Sequence, residues 1–504
     1  MQLVAYGAQD IYLTGNPQIT YFKVVYRRHT NFAIESIEQP FTGNTGFGGN
    51  PTVTIARNGD LMYWTDLRIQ LPSVTPTAGK NFRWLNWFMH TLVQEVKLEI
   101  GGQEIDKIYG EWMHIWNELT QSMGQQSNYA NLVGNVPKLV QPSTSTKPGV
   151  ELYLPLTFFF CRNPGLALPL IALQYHEVKI SFKFREKSSC YWSENGTEVN
   201  APDFTASLWV DYIFLDTDER RKFAQVSHEY LIEQLQFTGD QGITSTSSSV
   251  SLTLNHPVKF LAWVVQKDDH VNSNKMQSAG GPQYQNYTDK IDTTNFTGTP
   301  SHPLGEGIGG SSYSGLNPSL AMPYGGTTTT PNSGALQNSN RVIANSLMNA
   351  NSNDVDLDNL TFQDLFGNGN TTNPVGWNAD LPVFDAGQNP VVTAKLQLNG
   401  QDRFTERTGR YFNHLQPYKH FPNGPAVGIN VYSFALDPVE HQPSGTCNFS
   451  RIDKATLNLR VTDATLKDEN ATNQQDTQAK LRLYAVNYNI LRIMSGMGGL
   501  AYAN

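Results

Sequence analysis

The sequence has few cysteines, few clustered cations and no long apolar run. Its 504 residues contain 3 cysteines, and 36 lysines and arginines stand against 44 aspartates and glutamates. Three scattered cysteines suit neither a disulfide framework nor a CxxC zinc site, so we expect reduced thiols. A net charge of −8 without basic blocks argues against direct nucleic-acid binding, because phosphate contacts need clustered lysine and arginine.

Targeting and membrane signals are also missing. No apolar run reaches the length of about 18 residues that a membrane-spanning helix needs, and the richest patch, 166–173, contains Pro169. The first residues, 1–7, carry neither the basic nor the apolar segment of a secretory signal. We therefore predict no insertion into a membrane and no signal peptide.

Catalytic motifs are absent or degraded. Residues 305–310 spell GxGxxG, but Pro303 precedes them and no helical pattern follows, so a turn is expected rather than a dinucleotide site. The acidic run 354–358 begins like a calcium loop, but Leu365 stands where the last ligand should be. No HExxH or GxSxG sequence occurs. We predict that the protein is no enzyme and has no catalytic, cofactor-binding or metal-ligating residue.

Other residues that could carry chemistry are better explained by packing or surface pairing. They are isolated histidines, short basic runs and an aromatic pair: His90, His114, His176, 27–29, 220–222, Trp84 and Trp87. Cys161 is predicted to be a packed thiol rather than a nucleophile.

Strand and turn signals are abundant, with 41 glycines and 27 prolines to punctuate them. A strand is predicted at 154–160, a corner at Pro164 and Pro169, and a half-buried strand at 178–184, where apolar and polar residues alternate. The same order of strand, proline corner and alternating strand recurs at 431–461. Short strands separated by proline-containing corners are typical of all-β proteins.

Matching segments recur in the same order in both halves of the chain. Besides the proline corners, the pairs are 38–43 with 233–239, 98–103 with 396–401, 109–116 with 411–415, and 209–215 with 485–491. Each match is weak, but their shared order indicates a tandem duplication. The predicted divisions are an N-terminal arm (1–25), a first β domain (26–215), a linker (216–225), a second β domain (226–493) and a C-terminal tail (494–504).

Two segments depart from the β pattern. In 104–123, apolar residues recur every three and four positions, which predicts an amphipathic helix over one end of a β core. Residues 268–390 are rich in Asn, Gly, Ser, Thr and Pro and form a long insertion in the second domain. We expect a folded, solvent-facing elaboration there, with disorder as the alternative.

Three longer motifs lie near both ends and in the middle of the chain. They read GAQDIYLTGNP (7–17) with YRRHTNF (26–32), CRNPGLALPLIALQYHEV (161–178), and YSFAL (432–436) with HQPSGTCNFSRID (441–453). These motifs resemble the major capsid proteins of nucleocytoplasmic large DNA viruses. The resemblance covers the chain except for the insertion at 268–390.

The resemblance implies a tandem double jelly roll, which is an all-β fold of two eight-stranded antiparallel sandwiches, here with short helices and a long loop insertion in the second. It implies a structural protein whose homotrimers are pseudo-hexagonal capsomers that tile an icosahedral shell over an inner membrane. The implied partners are further copies, neighbouring capsomers, and penton and minor capsid proteins. By analogy, 1–25 would be a basal arm and 268–390 a tower that could contact the host surface. The implied location is the virion, assembled in the host cytoplasm.

Two other functions stay open at this point. A two-domain β-sandwich carbohydrate-binding or adhesin protein could use the same fold, and would be expected to carry a secretion signal with an aromatic platform or calcium site. A jelly-roll enzyme of the cupin type would need a His/Glu metal cluster on adjacent strands. The sequence offers only the degraded acidic run 354–358 in favour of the first alternative and no His/Glu cluster in favour of the second.

Overall fold

The structure consists mainly of short antiparallel strands. The computed structural model describes residues 7–196, 199, 201–277, 280–291, 388–468 and 476–502. The strands of the first half are β1 (Phe32–Gln39), β2 (Thr52–Thr54), β3 (Leu61–Leu71), β4 (Phe82–Trp84), β5 (Val93–Ile100), β6 (Gln103–Tyr109), β7 (Val150–Pro155), β8 (Leu168–Pro169), β9 (Val178–Phe184), β10 (Tyr191–Ser193) and β11 (Thr205–Leu215). Those of the second half are β12 (His228–Phe237), β13 (Gln241–Ile243), β14 (Ser247–Leu252), β15 (Pro257–Lys267), β16 (Val391–Leu398), β17 (Gln401–Asp402), β18 (Arg407–Thr408), β19 (Asn430–Ser433), β20 (Cys447–Asn448), β21 (Ala455–Val461), β22 (Ala479–Met494) and β23 (Met497–Leu500).

These strands pair into two sandwiches of the same topology. In the first half, one sheet has the order β1-β11-β3-β7 and the other the order β2-β9-β5-β6. In the second half, the orders are β12-β22-β15-β19 and β14-β21-β16-β17. The short strands β8 and β20 lie at equivalent positions beside β3 and β15. The predicted repeat of one topology is therefore confirmed, and each half is an eight-stranded antiparallel sandwich, hereafter the first and second jelly rolls.

Local sequence explains most of the strands. In β9 and β21, apolar and polar residues alternate, and the apolar side chains are buried while those between them are half-buried or exposed. Strand β15 is buried along nearly its whole length. Such an almost continuous apolar run marks a strand whose two faces are both covered.

Within the described ranges, the α-helices are few and short. They are α1 (Ile11–Thr14), α2 (Phe88–Leu92), α3 (Gly110–Thr120), α4 (Met123–Leu132), α5 (Pro137–Val140), α6 (Phe159–Arg162), α7 (Thr217–Gln225), α8 (Asp268–Val271) and α9 (Gln416–His420). A π-helical turn, Tyr411–Leu415, precedes α9. Among the helices that the structure describes, none combines the length and the apolar character needed to cross a bilayer.

The helix predicted over 104–123 is wrong in its first third. Residues Gln103–Tyr109 form β6, and the helix α3 begins only at Gly110. The register of β5 and β6 shifts opposite Leu98 and Glu99, so Ile105 and Ile108 are both buried although they lie on one strand. A β-bulge thus produces the spacing of three that a helix would also produce.

The proline corner of the first jelly roll lies where it was expected, but the strand before it is shorter. Strand β7 ends at Pro155, and helix α6 follows, so the strand predicted at 154–160 is wrong after its second residue. The Asn163 side chain accepts a hydrogen bond from the N–H of Gly165 (2.8 Å) at the start of the turn. Pro169 ends β8, so the corner connects β7 to β9.

Three predicted boundary segments contain more regular structure than the sequence indicated. Helix α7 occupies most of the predicted linker at 216–225. The first part of the predicted insertion, 268–291, is not an exposed loop, because it includes α8 and the buried residues Met276 and Tyr287. The next part, 292–387, lies outside the described residues. The predicted tail at 494–504 includes β23, which pairs with β22.

The two jelly rolls share one hydrophobic core cluster. It fills the first sandwich and continues through Trp112 to Phe260, Tyr484 and Val486 on the sheet β12-β22-β15-β19. The interior of the second sandwich forms a separate cluster that includes Trp263 and Leu483. The sheet β12-β22-β15-β19 is therefore covered on both faces, on one by its own sandwich and on the other by the first jelly roll.

Candidate functional site

The histidines considered from the sequence are packed, as predicted. His90 and His114 are buried, and the His90 ring stacks on Trp87 with centroids 5.6 Å apart. The Nε2 atom of His90 lies 2.7 Å from the Tyr129 hydroxyl. Burial lowers the pKa of His114 to about 3 and that of His90 well below its ordinary value, so both rings are neutral at physiological pH. Neutral buried rings that stack on tryptophan serve the core.

The remaining candidates also have structural roles. Cys161 is buried, and burial raises the pKa of its thiol to about 12, so the thiolate nucleophile is not available. His176 contacts the backbone of Gly498 in β23, and Arg220 pairs with Asp60 at 2.9 Å. Trp84 and Trp87 are both buried, as expected. Within the described ranges, no three histidine, cysteine or acidic side chains converge as a metal site would require.

Residues 305–310 and 354–358 lie outside the part of the chain that the structure describes. Arg27, Arg28 and His29 lie in the exposed segment before β1. None of the sequence candidates is brought together into a catalytic constellation among the described residues.

What the structure does build is a junction between the two jelly rolls. Helix α3 connects β6 to β7 and lies on the outer face of the sheet β12-β22-β15-β19. The ring of Trp112 is 6.2 Å from Phe260 and 5.5 Å from Tyr484, and the ring of Trp116 is 6.4 Å from Phe260. Aromatic pairs at such distances add to the free energy gained by burying their area. The helix can begin here only with Gly110, because a Cβ would lie 2.2 Å from the carbonyl oxygens of His90 and Val93.

A buried ion network lies beside these aromatic rings. Glu233 on β12 contacts Lys259 on β15 (Nζ to Oε1, 2.8 Å) and Arg162 at the end of α6 (Nη1 to Oε2, 2.9 Å). The Lys259 side chain is 1% exposed and also donates to the carbonyl of Glu440 at 3.1 Å. The Arg162 guanidinium lies over the Trp116 ring, 4.8 Å from its centroid. One carboxylate thus connects the corner of the first jelly roll to the sheet of the second.

The pKa of Glu233 shows how strongly its cationic neighbours stabilise the ionised carboxylate. Burial by itself would raise the pKa of this carboxyl, but Arg162, His441 and Lys259 outweigh burial and lower it to about 2. Burial lowers the pKa of Lys259. Sequence reasoning did not single out this site; its signal was the one lysine inside the apolar strand β15, VKFLAWVV.

A second charge cluster joins the same two halves. Glu111 of α3 accepts from Arg185 at 2.6 Å and lies 3.3 Å from Arg482 of β22. Arg482 also pairs with Asp240 at 3.0 Å. With a shared apolar core and two ion clusters across it, the junction fixes the relative orientation of the sandwiches.

Comparison with known proteins adds the identity of the family. Residues 20–216 match the family model described as the N-terminus of the major capsid protein, and residues 219–499 match the model for the large eukaryotic DNA virus major capsid protein. The chain belongs to the major capsid proteins of large eukaryotic DNA viruses. Both jelly rolls of the capsid protein are covered, and the resemblance inferred from its motifs is confirmed.

Full-length relatives agree with the family models. The capsid protein is 46% identical to the major capsid protein of Phaeocystis pouchetii virus and 41% identical to that of Paramecium bursaria Chlorella virus 1, over 100% of this chain and 99% of each relative. Among solved structures, it resembles PBCV-1 VP54 at 36% identity with a TM-score of 0.65, covering 96% of this chain and 100% of VP54. The Faustovirus major capsid protein has the same fold at 13% identity and a TM-score of 0.65.

These findings confirm the double jelly roll and the function as a structural component of a viral capsid. The carbohydrate-binding, adhesin and cupin alternatives are set aside. For a shell subunit, the functional surfaces are those that meet other proteins. The junction described above shows how one jelly roll of this protein packs against another. Apolar residues that remain exposed indicate where contacts with other proteins lie.

Proposed function

We propose that the capsid protein is a non-enzymatic shell subunit that forms homotrimers. In each trimer, six jelly rolls form a pseudo-hexagonal capsomer, and many capsomers tile an icosahedral shell. The observation that carries this proposal is the repeat of one topology, β1-β11-β3-β7 as β12-β22-β15-β19, on two sandwiches held at a fixed junction. Three copies around a threefold axis then present six similar sides, which suits sixfold packing.

The N-terminal segment supports contacts beyond the trimer. Between Gly7 and β1, the described chain forms only the short helix α1, and its large apolar residues are exposed. Tyr12, Tyr21 and Phe22 are at least 90% exposed. Exposed apolar surface of this extent marks an interaction segment. We assign it to contacts with neighbouring capsomers and with penton and minor capsid proteins.

Two further parts of the proposal concern location and host contact. Cys161, Cys190 and Cys447 are free thiols, which suits assembly in a reducing compartment such as the host cytoplasm. Residues 268–291 pack into the body of the protein. A host-facing role is therefore proposed only for residues 292–387.

The experiment is to determine the mass and shape of the purified protein. Light scattering should give a trimer near 3 × 56.2 ≈ 169 kDa, and negative-stain images should show triangular particles with six lobes. A protein that stays monomeric at high concentration and physiological salt would contradict the proposal.

A further inference from the structure

The junction inside the chain joins a connection of the first jelly roll to a sheet of the second. It uses neither the equivalent connection of the second jelly roll nor the equivalent sheet face of the first, although Phe223 of α7 and Ala167 pack on that face at Leu61 and Ile213. Helix α3 of the first jelly roll lies on the outer face of the sheet β12-β22-β15-β19. In the second jelly roll, the connection equivalent to α3 runs between β18 and β19 and contains the π-helical turn Tyr411–Leu415 and α9. In the first jelly roll, the equivalent sheet is β1-β11-β3-β7.

The two connections begin in the same way. A Cβ on Gly110 would meet the carbonyl oxygen of Val93, the first residue of β5, at 2.2 Å; one on Gly409 would meet that of Val391, the first residue of β16, at 1.9 Å. Both positions therefore require glycine at the same place in the fold. If the two connections are aligned on Gly110 and Gly409, Met113 and Phe412 each lie three residues after the glycine. Each is buried in the core of its own sandwich.

The same alignment on Gly110 and Gly409 identifies the residues that face outward. Trp112 and Trp116, which pack on the second jelly roll, correspond to Tyr411 and Leu415. Leu415 is 41% exposed. One turn further, Tyr418 is 85% exposed. Tyr411 itself is half-buried against its own sandwich, with Arg407 5.6 Å from its ring centroid. The apolar side chains that the second connection leaves exposed are therefore Leu415, at the position of Trp116, and Tyr418.

A groove runs beside these exposed residues. Its cavity volume is ≈ 980 Å³, and Arg407, Arg410, His414, Leu415 and Tyr418 contribute to its lining. A concave, partly apolar surface of this size has room for side chains of a partner.

The outer face of the sheet β1-β11-β3-β7 has matching properties. Its edge strand β1 exposes Phe32 (57%) and Ile34 (51%), and β3 exposes Trp64 (37%). In the equivalent face of the second jelly roll, Phe260 and Tyr484 are buried under α3 together with Tyr109 and Phe421.

The charges of the two surfaces are complementary. The groove and the segment that follows it carry three cations, Arg407, Arg410 and Lys419, against one carboxylate, that of Glu406. The outer face of β1-β11-β3-β7 carries four carboxylates against one guanidinium, that of Arg68: Glu38, Asp66, Glu151 and Asp211. Arg68 pairs with Glu38 and Glu151 on this face, whereas no cation of the described chain pairs with Asp66, whose pKa burial and the neighbouring Asp211 raise to about 6.

We propose that Leu415 and Tyr418 of one copy dock on the outer face of the sheet β1-β11-β3-β7 of a second copy, as α3 docks on the sheet β12-β22-β15-β19 within the chain. This inference rests on the proposed trimer and specifies which surfaces form it. Each copy contributes one connection and one sheet face, so the contact is head-to-tail and can close into a ring. If the turn at the contact equals the turn at the internal junction, six jelly rolls in three chains complete the ring.

Two double variants test the two surfaces separately. The connection variant, Leu415→Glu with Tyr418→Glu, places two acids against an acidic sheet face. The sheet variant, Phe32→Glu with Ile34→Glu, removes the exposed apolar residues of β1. All four positions are exposed, so both variants should fold, as circular dichroism will show. Each should weaken the contact at least about 100-fold, because central apolar anchors dominate such interfaces. Both should sediment as monomers where the wild-type protein is a trimer.

A mixture of the two variants gives the sharper result. The connection variant keeps an intact sheet face and the sheet variant keeps an intact connection, so one contact can form between them and no more. Sedimentation should show a 1:1 dimer near 2 × 56.2 ≈ 112 kDa. A mixture that stays monomeric, or that recovers the full trimer, would overturn the proposal.

A matched control separates surface charge from docking. Tyr175 is 75% exposed and lies on neither surface, so Tyr175→Glu should leave the trimer intact. Variants that trimerise like the wild type would refute the docking surfaces but leave the proposed trimer standing. A monomeric wild type would instead refute the trimer itself.

Discussion

Replacing Glu233 with glutamine removes the negative charge that Lys259 and Arg162 share at the junction. Lys259 is 1% exposed and cannot reach water when its partner is lost, whereas Arg162 is 26% exposed and can. Breaking a buried ion pair from one side costs about 3–5 kcal/mol, because the remaining charge stays buried without compensation. We expect Glu233→Gln to lower the free energy of unfolding by this amount, measured by urea denaturation at a fixed protein concentration.

The pKa of Glu233 gives an independent magnitude. The difference between its ordinary pKa of 4.5 and about 2 in the folded protein corresponds to about 3 kcal/mol. Because the folded pKa is the lower one, this stabilisation is fully present above pH 4.5 and is lost as the pH falls through about 2. The difference between the wild-type and Glu233→Gln proteins should therefore narrow over that interval and be constant above it.

Glu38 provides the matched control, since its segment is the sequence counterpart of the one containing Glu233. It is 49% exposed and lies 3.9 Å from Arg68. Exposed pairs contribute about 0–1 kcal/mol, so Glu38→Gln should change stability by less than about 1 kcal/mol. A double variant, Glu233→Gln with Lys259→Met, should recover part of the loss, because no unpaired lysine is then buried. The reasoning is refuted if Glu233→Gln behaves like Glu38→Gln, or if its effect is the same at pH 3 as at pH 7.

Two further expectations follow from the described residues. Joining Ile291 to Gln388 by a short glycine-serine linker in place of 292–387 should preserve the fold and the melting temperature, because Asp289 and Gln388 already hydrogen-bond to each other (3.0 and 2.7 Å); a large fall in melting temperature would contradict this. In native protein, a thiol reagent should modify Cys447 but not Cys161 or Cys190, which are buried and have pKa values raised to about 12 by burial; rapid modification of three thiols per chain would show that these sites open.

Local sequence pattern was sufficient for the strands that face one core. In β9 and β21, the alternation of side chains between the two faces follows from the strand geometry itself, so it can be read without knowing the partner. The repeated order of weak matches located the two jelly rolls, because a Greek-key sandwich requires its strands and corners in sequence. The proline corner at Pro164 and Pro169 was recognisable for the same reason, since proline cannot continue a paired strand.

Prediction from the local sequence pattern failed where a residue packs against a part of the chain that is distant in sequence. The spacing of Ile105 and Ile108 looked helical because a bulge and a neighbouring jelly roll bury both residues. Residues 268–291 were predicted to be a loop because their composition is polar. Composition does not reveal that they pack against the first jelly roll, where the indole N–H of Trp192 donates to the carbonyl of Gln277 at 2.8 Å.

The alternating strands, the duplicated plan and, through the motifs, the capsid family could all be inferred from the sequence. Only the tertiary structure decided which faces of these sandwiches are already covered and which are open. Helix α3 and the segment Tyr411–Leu415 both carry large apolar residues at equivalent positions, yet Trp116 packs on Phe260 of the second jelly roll while its counterpart Leu415 remains exposed. The physical reason is that apolar periodicity fixes which side of an element avoids water, whereas the partner that covers that side is set by chain connectivity and packing in three dimensions.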